Sequence, residues 1–102
     1  MKYQDLLRGL IRLHILFHAV EGDEVYGQWM IDELRRHGYT ISPGTLYPML
    51  NAMERKGYLK SKRQPSGHSF RRVYRATARG RSAYKVAKAR VRELSRELIE
   101  GM

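Results

Sequence analysis

A chain of 102 residues, 42% of them hydrophobic, is one domain's worth, long enough to bury a single core and far too apolar for a disordered polycation. The absence of cysteine excludes disulfides, thiolate metal sites, cysteine nucleophiles and thiol redox sensing. Twenty Lys and Arg against ten Asp and Glu leave a net charge of +10, which points to an anionic partner.

The charge is concentrated in one stretch. Residues 1–54 carry five bases and seven acids, and residues 93–102 carry Arg96 against Glu93, Glu97 and Glu100. Between Glu54 and Glu93 lie fourteen Lys and Arg and not one acid. Such a segment repels itself unless a polyanion neutralises it, so a nucleic-acid or anionic-membrane surface is favoured over a merely solvated face. The longest apolar run without a formal charge, Leu13 to Val20, is too short to cross a bilayer, and the N-terminus shows no secretory signal pattern. A soluble cytoplasmic protein is expected.

Residues 5–20 read as a helix. Leu6, Leu10, Leu13, Phe17 and Val20 form one stripe, with Leu7, Ile11 and Ile15 as a second beside it. A band this wide exceeds what one small core needs, so part of it is expected to meet another chain. Glu21-Gly22-Asp23 ends this helix. A second helix is predicted from Val25 to His37, with Val25, Trp29, Met30 and Leu34 inward and Gly38 just past its end. The third has Ser42 as N-cap, Pro43 at its first position, an apolar face of Leu46, Met49, Leu50 and Met53, and Gly57 as its stop. Pro48 lies beyond the first turn and is expected to bend this helix or delay its regular part. Gly38-Tyr39-Thr40-Ile41 is the short Gly-containing connection of a helix-turn-helix.

Tyr58–Gln64 and Ser69–Ala76 then predict two strands around a turn, Pro65-Ser66-Gly67-His68. Phe70, Arg72 and Tyr74 share one strand face, and Arg71, Val73 and Arg75 the other. Thr77 can cap a last helix reaching Glu100, where Tyr84, Ala87, Val91, Leu94 and Leu98 are spaced as a heptad seam. That seam suits packing against the first helix of the same or a partner subunit. The fold class is therefore mainly α with a small β-hairpin. Residues 1–80 form a winged helix-turn-helix, whose first helix also contributes to dimerisation, and residues 81–102 a C-terminal dimerisation helix.

A helix-turn-helix presents the N-terminal residues of its second helix to base edges in the major groove. Here these are Gly44, Thr45, Tyr47 and Asn51. Thr45 and Tyr47 can donate to phosphate, while Asn51 can read an adenine edge. For Tyr47 a half-buried core aromatic is an equal alternative. Arg55 and Lys56, at the far end, suit phosphate, as do Tyr26 and Gly27 at the start of the supporting helix. Lys62, Arg63, Arg71 and Arg72 surround the wing, with Ser66, Gly67 and His68 at its tip, and an arginine there can enter the minor groove of A·T-rich DNA. Arg90 and Arg92 read better as a solvated helix face.

His14 and His18 stand i, i+4, a spacing compatible with zinc. No HExxH pattern or nearby third ligand accompanies them, so they read as the edge of an interface, and neither a metal nor a cofactor is expected. No nucleophile–base constellation, phosphate loop or paired carboxylates appear, which ranks an enzyme last. The apolar seam of the last helix holds small residues and no Trp or Phe, so a membrane anchor ranks below dimer packing. Two nucleic-acid functions compete: a sequence-specific DNA-binding regulator, and a non-specific architectural protein for which the charge alone would suffice. Thr45, Asn51 and the seam favour the first.

Tyr26-Gly27, the run Ser42-Pro43-Gly44-Thr45-Leu46-Tyr47-Pro48-Met49-Leu50, then Met53, Glu54, Gly57, Arg71-Arg72-Val73-Tyr74, Thr77 and Gly80 resemble the PadR-family transcriptional regulators over nearly the whole chain. The resemblance implies a homodimeric winged-helix repressor binding a pseudo-palindromic operator in double-stranded DNA, often beside its own gene. It places the dimer interface on the first and last helices, here Leu6, Leu10, Leu13 and Phe17 with Tyr84, Ala87, Val91, Leu94 and Leu98. Some members bind a small aromatic effector there. The short last helix fits the subgroup with a single C-terminal helix and leaves little material for a ligand pocket. Ala76 departs from the larger aliphatic residue usual before the threonine.

Overall fold

Two apolar stripes run along the first helix, and the structure buries only one of them. In this computed structural model, which describes residues 2–22 and 24–102, the elements are α1 (Gln4–Glu21), β1 (Val25–Tyr26), α2 (Gly27–Arg36), α3 (Pro43–Arg55), β2 (Leu59–Ser66), β3 (Ser69–Ala76) and α4 (Ala78–Ser95). A π-helical turn, Arg96–Glu100, continues α4. Asp23, the last residue of the predicted helix end, lies outside the described residues. Ile11 and Ile15 of α1 are fully buried, together with Leu16 and Ala19. They meet Met30 and Leu34 of α2, Leu46, Leu50 and Met53 of α3, Leu59 of β2 and Tyr74 of β3 in one core. The other stripe faces mostly out: Leu6 is 78% exposed and Leu10 and Phe17 are exposed, while Leu13 is half-buried and Val20 packs partly against the core. One small core takes about a third of a helix circumference, and the rest of the apolar band is left over.

The second helix starts later than its periodicity predicts. Val25 and Tyr26 form a short strand that pairs antiparallel with β3 (Val25↔Tyr74, Tyr26↔Val73), and α2 begins at Gly27. The predicted hairpin is thus the larger part of a three-stranded sheet ordered β1-β3-β2. Both residues favour strands, and the open edge of β3 offers them backbone partners that override the helical pattern. Of the residues expected inward on α2, Met30 and Leu34 are fully buried, whereas Trp29 is half-buried against the core.

The wing turn is also tighter than the predicted four residues. β2 and β3 stay in register from Leu59↔Ala76 to Ser66↔Ser69, so only Gly67 and His68 turn the chain. Gly67 sits at φ +63° and His68 does not share the positive φ, the arrangement in which glycine is needed at the first turn position. Pro65 lies within β2 opposite Phe70; β2 is an edge strand, where a missing N–H breaks no internal ladder.

Pro48 neither ends nor delays α3, which runs unbroken from Pro43 to Arg55. The bond it deletes would have ended on the carbonyl of Gly44, which is exposed in the first turn, so water can satisfy that oxygen. Ser42 holds the N-cap position with extended backbone, but its side chain makes no capping bond and its hydroxyl reaches Thr45 Oγ1 instead, at 3.3 Å. Thr77 does cap α4: its Oγ1 accepts from the Gly80 N–H at 2.9 Å and donates to the Gly57 carbonyl, tying helix to hairpin. The division at 80/81 falls inside α4. From Lys88 to Met102 every residue is exposed.

Candidate nucleic-acid interface

Three segments that are separate in the sequence converge on one face. Tyr26, Gly27 and Gln28 at the start of α2, Tyr47 of α3, and Ser66, Phe70, Arg71 and Arg72 of the wing line a common cleft of about 610 Å³. At this cleft α2 meets α3 through the Tyr47 phenol lying on Gly27, so close that a Cβ at position 27 would collide with the ring. Tyr47 is therefore a packing residue along one edge while 39% exposed on the other. Ser42, Gly44 and Asn51 are exposed beside it, and Thr45 is half-buried.

The wing arginines are held rather than free. The Arg71 guanidinium stacks 3.9 Å from the centre of the Tyr26 ring, and its Nε donates to Gln64 Oε1 at 3.3 Å. Arg63 lies 4.5 Å over the Phe70 ring, one register position from the tip. Stacking fixes the plane of each guanidinium and leaves its outward N–H groups for an anion. Lys62, Ser66, Gly67 and His68 are exposed along the wing, and Arg55 and Lys56 at the C-terminal end of α3. Arg75 faces Glu24 at 2.8 Å and is neutralised within the chain.

Two hydrogen-bonded ties, neither of them visible in the sequence pattern, join α3 to the hairpin. The Tyr74 phenol donates to Asn51 Oδ1 at 3.3 Å. Burial raises the Tyr74 pKa above its ordinary value, so the phenol stays protonated and remains a donor. One acceptor lone pair of Asn51 is thereby engaged, while its amide N–H₂ remains outside this bond. The second tie runs through Glu54. Its carboxylate accepts from the Ser61 N–H at 3.0 Å and from the Ser61 hydroxyl at 2.8 Å, and that hydroxyl accepts from Arg72 Nη1 at 2.9 Å. The sequence signals for Glu54 are its place among the residues that carry the family resemblance and as the last acid before the acid-free segment, and neither points to Ser61 as its partner.

The residues expected at a dimer interface form a second, separate surface. Leu10, Leu13 and Phe17 of α1 and Tyr84 and Val91 of α4 line a groove of about 380 Å³. Leu94 is 49% and Leu98 71% exposed, Leu6 lies exposed at the start of α1, and Ala87 is half-buried. His14, His18, Glu33, His37 and Lys88 edge the same groove. Glu33 Oε2 stands 3.3 Å from both His18 Nε2 and His37 Nε2, so α2 brings beside the histidine pair two groups that the local spacing gave no sign of. Among the described residues, no group of three or more His, Asp or Glu is arranged to hold a metal ion. Burial, together with neighbouring imidazoles, lowers the pKa of His14, and burial lowers that of His18 against the opposing pull of Glu33.

Among the described residues no helix is long and apolar enough to cross a membrane. Residues 15–86 match the transcriptional regulator PadR-like family. The chain is 46% identical over 98 residues to the transcriptional regulator Rv3488 of Mycobacterium tuberculosis, a match covering 96% of this chain and 91% of that one. Among solved structures it is similar to a transcriptional regulator from Clostridium thermocellum, with a TM-score of 0.77 at 31% identity over 96% of this chain and 97% of the other. A PadR family transcriptional regulator from Eggerthella lenta superposes with the same TM-score at 29% identity, over 88% and 79% of the two chains. The family and the relative are regulators of transcription rather than enzymes.

Proposed function

Because the chain belongs to the PadR-like family of transcriptional regulators, we propose that it is a sequence-specific DNA-binding repressor that works in the cytoplasm as a homodimer on a pseudo-palindromic operator. The observation that carries this reading is the single cleft shared by α2, α3 and the wing, with Arg71 and Arg72 at its rim. In this reading residues 1–80 bind DNA and 81–102 complete the dimer. The N-terminal half of α3, with Gly44, Thr45, Tyr47 and Asn51, enters the major groove. Tyr26, Gly27, Ser42, Arg55, Lys56 and Lys62 hold the phosphates, and Arg63, Arg71 and Arg72 with the tip Ser66-Gly67-His68 follow the adjacent backbone or minor groove. The exposed stripe of α1 and the seam of α4 supply a self-complementary apolar surface for a two-fold partner. A small aromatic effector, if one acts, has the α1–α4 groove as its site, where it would compete with the partner helix.

Selection from random duplexes at physiological salt tests the reading directly. The expected outcome is an enriched palindrome whose half-sites lie about one helical turn apart, about 34–36 Å. A pool bound tightly yet not enriched would instead mark an architectural protein held by charge alone.

A further inference from the structure

Glu54 is a costly residue where it stands. A carboxylate in the last turn of α3 opposes the helix dipole, and at the foot of a wing carrying Lys62, Arg63, Arg71 and Arg72 it repels any phosphate those cations attract. Its compensation lies wholly within the protein: the Ser61 N–H at 3.0 Å, the Ser61 hydroxyl at 2.8 Å, and through that hydroxyl Arg72 at 2.9 Å. Asn51, one turn earlier on the same helix, receives the Tyr74 phenol from the same hairpin. The base of the hairpin packs on α3 through Leu59 and Tyr74 in the shared core, whereas the outer wing from Lys62 to Arg72 projects beyond that core, exposed except at half-buried Gln64, and depends on these polar ties for its angle.

We propose that Glu54 and Ser61 are positioning residues that lock the wing to α3 at one angle, so that helix and wing meet DNA as a single rigid body and discriminate sequence together. The inference rests on the operator-binding reading above. A rigid pair discriminates better than a hinged one because a base change under α3 cannot be offset by the wing finding its own fit. Arg72, steered by the Ser61 hydroxyl, presents its remaining N–H groups in a fixed direction. Neither Glu54 nor Ser61 touches DNA in this scheme.

The test compares wild type with Ser61→Ala, Ser61→Thr and Glu54→Gln on the selected operator and a scrambled duplex. In Ser61→Ala and Glu54→Gln the ratio of operator to scrambled affinity is expected to fall about tenfold, the worth of one mismatched base pair. Ser61→Thr keeps the hydroxyl and the wild-type ratio. Scrambled-duplex affinity holds in Ser61→Ala and rises in Glu54→Gln, which removes a negative charge. In the free protein, amide exchange at Ser61 and along the hairpin speeds up in Ser61→Ala and returns to normal in Ser61→Thr. An unchanged ratio in Ser61→Ala overturns the proposal. If wild type itself prefers no sequence, the operator reading is what fails. The lock is then decided by exchange alone, and hairpin amides unaltered in Ser61→Ala overturn it.

Discussion

At position 27 the absence of a side chain is what lets the Tyr47 phenol of α3 lie against the start of α2. Gly27→Ala places a methyl group inside the Tyr47 ring, and overpacking of this kind costs roughly 1–3 kcal/mol. Urea denaturation should show that loss in wild-type background and much less in a Tyr47→Ala background, because the three atoms nearest that methyl all belong to Tyr47. In the proposed interface Asn51 and Lys62 make two different kinds of DNA contact. Asn51→Ala should cost roughly 1–3 kcal/mol at one base pair of the operator and little elsewhere. Lys62→Ala should weaken every duplex alike and reduce the salt dependence of log affinity by about one unit. Competition titrations at two salt concentrations distinguish these outcomes. At this scale the sequence is informative about residue type and silent about partners. The basic wing and the Gly-Thr-Leu-Tyr-Pro run are legible, but that Asn51 meets Tyr74 and Glu54 meets Ser61 depends on how a hairpin folds back over a helix.

Among the elements, the α1–α2 seam carries the pH dependence. His14 and His18 of α1 face Glu33 and His37 of α2, with Lys88 of α4 across the groove and Arg36 3.3 Å from Glu33. Both α1 imidazoles bind protons less readily folded than unfolded, chiefly through burial, so the unfolded chain takes up protons first as pH falls. Stability from this seam is therefore complete above the ordinary imidazole value of about 6.5 and declines below it, through the lowered folded-state values. Thermal melting between neutral pH and pH 5 should show this decline, and His14→Gln with His18→Gln should flatten it. The boundaries of α3 and α4 are readable because Pro43 and Thr77 act locally, each within one turn of its own helix. The β1 strand is unreadable for the opposite reason: its two residues take their conformation from β3, far along the chain, against a helical periodicity that continues through them. Pro48 does not delay α3 because the cost of an internal proline depends on the surroundings of the orphaned carbonyl, and Gly44 is an exposed residue.

The whole molecule is elongated, with extents of 54 × 31 × 20 Å, because α4 and its π-helical extension run out beyond the core. Leu94→Glu should turn the proposed dimer into a monomer in sedimentation velocity and abolish operator binding, while leaving the melting of the core nearly unchanged, since Leu94 makes no part of that core. The exposed span from Lys88 to Met102 has a further consequence for gene control. An isolated helical segment of this length is marginal in water, so in the proposed homodimer a second subunit would supply its order, which would scale with how many subunits are present. While pairs are scarce, the paired species grows with the square of the subunit concentration, and DNA occupancy follows it. For the proposed dimeric repressor, the protein's own abundance thereby becomes a signal: a modest rise in dosage would produce a disproportionate rise in repression.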